Sequence, residues 1–329
     1  MLIKSYLLKM VRLSDILLSY EVGINLFVEI LLLLLLSIAF INTLYILKRY
    51  KRDSATELQY SLEKKSYLIL SIIQISLIIK IILLPFFTYT LDKLSNIIPG
   101  AMCGAGVVSA NTYGEPLIVL KIFLIITTML WLTLNREDLH TKESRYFKHK
   151  MWFFIIIYIF ILLEMLLELL FYTNLSTVNP VSCCSTLYTS TQDSNPLPFN
   201  ISILQLISSF YLIYLALVLS AYYKKRFLFL SLCILFTYIS YLSLVYFFST
   251  YIYQLPTHKC PYCLLQSDYY YIGYFIYSSY ILALFTSMSA VIYTFTPKSF
   301  NISILFYSLF LFFVSINYIL YLIINRTLL

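Results

Sequence analysis

An all-α, polytopic membrane helix bundle of about eight transmembrane helices is the fold class this sequence predicts. Two features of composition and one of pattern predict it. Of 329 residues, 61% are hydrophobic and only 12% are charged, about half the charge needed to cover a soluble domain. Apolar stretches of about 20 residues, the length that crosses the hydrocarbon as a helix, recur along the chain. The basic residues gather in short tracts between those stretches. That distribution orients a protein in a bilayer. The net charge of +8 is therefore read as topology, and nucleic acid is not an expected partner.

The spans are expected at 24–47, 66–87, 116–134, 151–172, 201–222, 227–252, 270–294 and 301–324. Residues 1–20 mix Lys4, Lys9, Arg12 and Asp15 with leucines and read as an interfacial amphipathic segment. The remainder, 21–329, is expected to be a single transmembrane domain. No basic n-region, short apolar stretch and small-residue cleavage site opens the chain, so no removable signal peptide is expected.

The connections alternate in charge. Lys48, Arg49, Lys51, Arg52, Lys64 and Lys65 flank the first hairpin; Arg136, Lys142, Arg145, Lys148 and Lys150 fill the third connection. With Lys224, Lys225, Arg226 and Lys298 they make 15 of the 23 lysines and arginines on one side, which the positive-inside rule assigns to the cytoplasm. The opposite loops, 88–115, 173–200 and 253–269, hold only Lys93 and Lys259. The expectation is an integral protein of a plasma or inner membrane with these loops outside. The first of them carries Pro99, Gly100, Gly104, Gly106 and Gly114, which permit close backbone approach and suit a loop packed on the bundle.

Five of the six cysteines, Cys103, Cys183, Cys184, Cys260 and Cys263, map to those three loops, and only Cys233 lies in a span. Disulfides persist outside the cytosol, so structural staples in a non-catalytic subunit of a membrane complex are one reading. Five thiols cannot all pair, and Cys260 to Cys263 closes too small a ring to gain much loop-closure entropy. Two cysteines that close suit a switch better than a staple. Placed just before span seven, they are expected near a helix N-terminus, where free amides and the dipole favour thiolate. His258 and Lys259 precede them, and Pro261 pre-sets the turn.

Cys260-Pro261-Tyr262-Cys263 resembles the redox-active dithiol of glutaredoxins, over four residues and none of the fold. The resemblance implies thiol–disulfide exchange. In the expected relay, Cys260 and Cys263 exchange with a second site made of Cys103 and Cys183 or Cys184, with His258 assisting. Membrane enzymes of the vitamin-K-epoxide-reductase type, which are four-helix bundles, play a similar role between loop cysteines and a quinone. By that analogy a quinone is the expected cofactor and an extracytoplasmic thiol protein the expected partner. The alternative uses the same atoms. Cys103, Cys183, Cys184, Cys260 and Cys263 with His258 suit Cu or Zn, and Met102 adds a soft thioether.

Charges inside the spans are the second signal. Glu164 and Glu168, four residues apart, share a helix face. Lys80 and Lys121 interrupt spans two and three, and Glu29 lies in span one. At 1.5 Å per residue, Lys80, Lys121, Glu164 and Glu168 all fall in the outer third of the bilayer. Buried charges at such depth pair or line a cavity, so an ion-pair network or a proton relay is expected. No nucleotide-binding Gly-rich loop, metalloprotease helix or serine-nucleophile elbow is present in the sequence.

Overall fold

The computed structural model describes residues 16–50, 56–140, 146–178, 180–181, 197, 201–256, 258–292 and 298–326. Among them are eight helices long and apolar enough to cross a membrane, and no strand. The helices are α1 (Tyr20–Arg49), α2 (Glu57–Ser95), the short α3 (Gly104–Val108), α4 (Gly114–His140), α5 (Phe147–Thr173) and α6 (Ile203–Tyr222). There follow α7 (Arg226–Ser243), a π-helical turn (Leu244–Phe248) and α8 (Ser249–Tyr253), which together make one span, then α9 (Ile272–Ile292) and α10 (Lys298–Asn325). The expected interfacial segment falls almost wholly in residues 1–15, outside the described residues.

Helix ends reflect local chemistry. Glu21 opens α1 and Lys48 with Arg49 closes it, each charge complementing the helix dipole. The Thr56 hydroxyl accepts from the Gln59 amide to start α2, and Ser202 with Gln205 forms a reciprocal capping box before α6. Helix α2 contains the expected span of 66–87 and extends beyond it at both ends. Its 39 residues make about 58 Å at 1.5 Å per residue, and it runs through Pro85. Proline removes one amide donor, yet the helix continues through it; the Thr88 hydroxyl donates to the Pro85 carbonyl at 2.8 Å.

The chain forms two compact units, Met1–Pro99 with Val107–Pro180, and Gly100–Gly106 with Val181–Leu329. In the first, α1 packs on α2 and α5, while α4 packs on α2 and α5, closing a ring of four helices. Its core includes Leu36, Ile73, Trp131 and Phe154. A polar network lies at one end: Lys150 pairs with Asp138 at 2.7 Å, donates to Asn135 at 3.1 Å and offers its carbonyl to the Trp131 indole at 2.8 Å.

In the second unit α6 packs on α7 and α10, and α9 packs on α7 and α10, again a ring of four. Its core is aromatic: Phe210 and Phe236 stack at 5.3 Å, with Phe310 at their edges. The π turn inserts an extra residue late in the sixth span, which rotates the residues beyond it by about 100° about the axis. Tyr251 and Tyr253, in that rotated stretch, are both buried.

Candidate functional site

In the second unit two segments far apart in sequence bring sulfur together. Cys103, Cys260 and Cys263 are all buried, and their Sγ atoms lie within 4.8 Å of one another. Cys103 and Cys260 stand 3.7 Å apart, in contact and well beyond the about 2.05 Å of a disulfide bond. A hydrogen bond fastens the two segments: the Gln266 amide donates to the Met102 carbonyl at 2.9 Å.

The CxxC loop is held by tyrosines. The Tyr253 hydroxyl donates to the Cys260 carbonyl, and the Tyr277 hydroxyl donates to the Pro261 carbonyl at 2.8 Å. The Tyr253 ring meets both His258 and Tyr269 edge-on, with centroids 4.6 Å apart. Cys263 begins a 3₁₀ turn, Cys263–Leu265, whose last residue donates back to the Tyr262 carbonyl at 3.0 Å. Neither tyrosine was legible as a site residue, since this chain holds 32 of them.

The surroundings of the sulfurs differ from those expected. The dithiol does not open span seven, because α9 starts at Ile272, nine residues beyond Cys263. Tyr270 and Tyr271 take left-handed conformations (φ 55° and 54°) and break the chain between the two. His258 packs on Tyr253 and is not one of the groups gathered within 4.8 Å. Lys259 lies over the Tyr246 ring at 5.2 Å, and its partial burial lowers its pKa. Met102 is 69% exposed while Cys103 is fully buried, so its thioether turns away from the sulfurs. Cys183 and Cys184 lie outside the described residues, and Cys233 is a buried core residue of α7.

The first unit gathers the intramembrane charges. Lys80 contacts Glu29 at 2.6 Å and Glu164 at 2.5 Å. Lys121 contacts Glu164 and Glu168 at 2.7 Å and Glu29 at 3.5 Å, with Phe87 beneath it at 4.4 Å. All four residues expected from the sequence meet, and Glu29 joins them. Two more were missed. Asn25 donates to Glu168 and lies 3.5 Å from the Tyr172 hydroxyl. Their signal was spacing: Asn25 stands four residues before Glu29, and Tyr172 four after Glu168, which extends each polar stripe by one turn.

Fold and clusters define the class: an all-helical protein with eight membrane-length apolar helices, a buried sulfur trio and a buried ion-pair cluster. Comparison with protein-family models, curated proteins and solved structures finds no match. The functional reading therefore rests on the residues themselves.

Proposed function

We propose that the second unit performs thiol–disulfide exchange at Cys103, Cys260 and Cys263, on the extracytoplasmic side, with a membrane quinone as electron acceptor. The observation that supports this reading is that Cys260 has two other sulfurs within 4.8 Å. Cys263 is its CxxC partner, and Cys103 is in contact at 3.7 Å. Starting from a Cys260–Cys263 disulfide, the Cys103 thiolate attacks the Cys260 sulfur. A Cys103–Cys260 bond forms, and Cys263 leaves as thiolate and takes up the proton Cys103 released. That exchange moves no net electrons. Oxidation of a pair sends two electrons and two protons to the quinone, giving quinol. Burial confines the attack to sulfurs already inside, which favours an internal relay over direct attack on a partner protein.

Single-cysteine variants test the relay. After acid trapping of cells and peptide mapping, Cys263→Ser should accumulate the Cys103–Cys260 disulfide, and Cys103→Ser the Cys260–Cys263 disulfide. Wild type should shift between thiol and disulfide with the respiratory state of the cells. A Cys103–Cys260 bond fully formed under every condition would leave only a staple.

The soft-metal reading has its own observation. A tetrahedral thiolate site with metal–sulfur bonds of about 2.3 Å has sulfurs about 3.8 Å apart, close to the 3.7 Å seen here. The three cysteines would hold Cu or Zn as thiolates. One equivalent of metal per chain, lost in Cys103→Ser, with sulfurs that alkylate only after chelation, would establish that reading in place of exchange.

Sidedness has a separate test, because buried sulfurs label slowly whichever way they face. Met102 is 69% exposed and adjoins Cys103. Met102→Cys should react with a membrane-impermeant maleimide in intact cells. Reaction only after lysis would move the loop to the cytoplasm.

A further inference from the structure

The charge cluster of the first unit does not balance. Glu29 on α1 and Glu164 and Glu168 on α5 face two ammoniums, Lys80 on α2 and Lys121 on α4. Three carboxylates against two ammoniums leave one negative charge. Among the described residues, the other polar and aromatic groups facing the cluster are Asn25, Tyr172, Thr128 and Phe87, none of them cationic. An uncompensated charge at this depth is costly. A metal ion does not fit as the missing charge, because the ammoniums stand 2.5–2.7 Å from these carboxylates, where a cation would sit.

We propose that the cluster is a proton-binding site and that Glu168 carries the proton. Glu29 and Glu164 each touch both ammoniums, but Glu168 touches Lys121 alone. Its other oxygen faces the neutral amide of Asn25. Glu168 is thus the least compensated of the three. Asn25 supplies the second observation. The residue is fully buried, and its Oδ1 has no hydrogen-bond partner among the described residues. A carboxylate leaves that acceptor orphaned, which costs about 1–3 kcal/mol. With Glu168 protonated, turning the amide over lets the Glu168 O–H donate to Oδ1, in exchange for the present Nδ2 contacts to Glu168 and Tyr172. A cavity of about 20 Å³ beside Glu29, Lys80, Lys121, Thr128 and Glu164 has room for one water, and Glu168 does not line it.

This inference is independent of the sulfur chemistry and has a spectroscopic test. Full-length protein in lipid nanodiscs, labelled with ¹³C-glutamate, is examined by infrared spectroscopy at neutral pH in H₂O and D₂O. Wild type should show one protonated-carboxyl band that shifts on labelling and on deuteration. Glu168→Gln should abolish it while circular dichroism stays unchanged, since glutamine presents the same donor and acceptor as the acid. Asn25→Leu should retain the band at higher frequency, because the acceptor is gone. Absence of the band in wild type, its survival in Glu168→Gln, or an unshifted band in Asn25→Leu would overturn the assignment. Should Glu168→Gln fail to fold, the Asn25→Leu shift decides alone.

Discussion

Lys121→Met is expected to destabilise the first unit by about 3–5 kcal/mol, the cost of breaking a buried ion pair from one side. The lysine is 5% exposed and reaches three carboxylates, Glu164 and Glu168 at 2.7 Å and Glu29 at 3.5 Å. Methionine fills the volume and removes the charge. Lys80 is then left alone against three acids, so two of them must be neutralised rather than one. Arginine is not a conservative replacement here: its planar fork binds one carboxylate side-on, whereas an ammonium points donors in three directions. Equilibrium unfolding of purified protein in mixed micelles measures the loss. Adding Glu168→Gln to Lys121→Met should recover part of it, since the acid that depended on Lys121 alone has gone. If Lys121→Met lies within about 1 kcal/mol of wild type, the cluster is not an ion-pair network.

The range of each interaction decided how much of it was legible in the sequence. Each span is a local property of about 20 consecutive residues, so the eight helices could be read directly, and the helices run past the spans where polar turns prolong them, as in α2 from Glu57 to Ser95. Spacing placed Glu164 and Glu168 on one face. It could not say that Lys121 rather than Lys80 would touch both, because that depends on how α4 seats against α5. The sulfur trio lay further from view. Cys103 and Cys260 are 157 residues apart, and only their shared loop character linked them. The start of α9 was misplaced for a different reason. Tyr270 and Tyr271 carry none of the glycine or asparagine that announces a left-handed turn, yet both adopt one. Local turn hydrogen bonds hold them there, from the Tyr270 amide to the Ser267 carbonyl and from the Tyr271 amide to the Gln266 carbonyl, so the dithiol and the helix start are parted along the chain.

The close approach of Gly273 to Leu264 makes Gly273→Ala the sharpest available probe of the sulfur site. Gly273 lies in the first turn of α9, and a β-carbon there would stand 2.8 Å from the Leu264 carbonyl carbon and oxygen and 2.9 Å from its β-carbon. Those are mostly backbone atoms and cannot swing aside. Leu264 is fully buried in the centre of the Cys263–Leu265 turn, so the added methyl must lift that turn, and Cys263 with it. Overpacking of this kind costs about 1–3 kcal/mol. The effect on sulfur chemistry should be larger in proportion, because bond formation tolerates little displacement between sulfurs. Oxidant-driven cross-linking of Cys103 to Cys260 in purified protein, followed by peptide mass analysis, is expected to slow at least several-fold. Gly23→Ala is the control: no atom lies within 4 Å of its β-carbon, and alanine is the better helix former, so stability should hold or rise slightly. Equal cross-linking rates in Gly273→Ala and wild type would mean that the close approach of Gly273 to Leu264 does not hold the dithiol against Cys103, and the trio would have to be positioned by the Tyr253, Tyr277 and Gln266 hydrogen bonds.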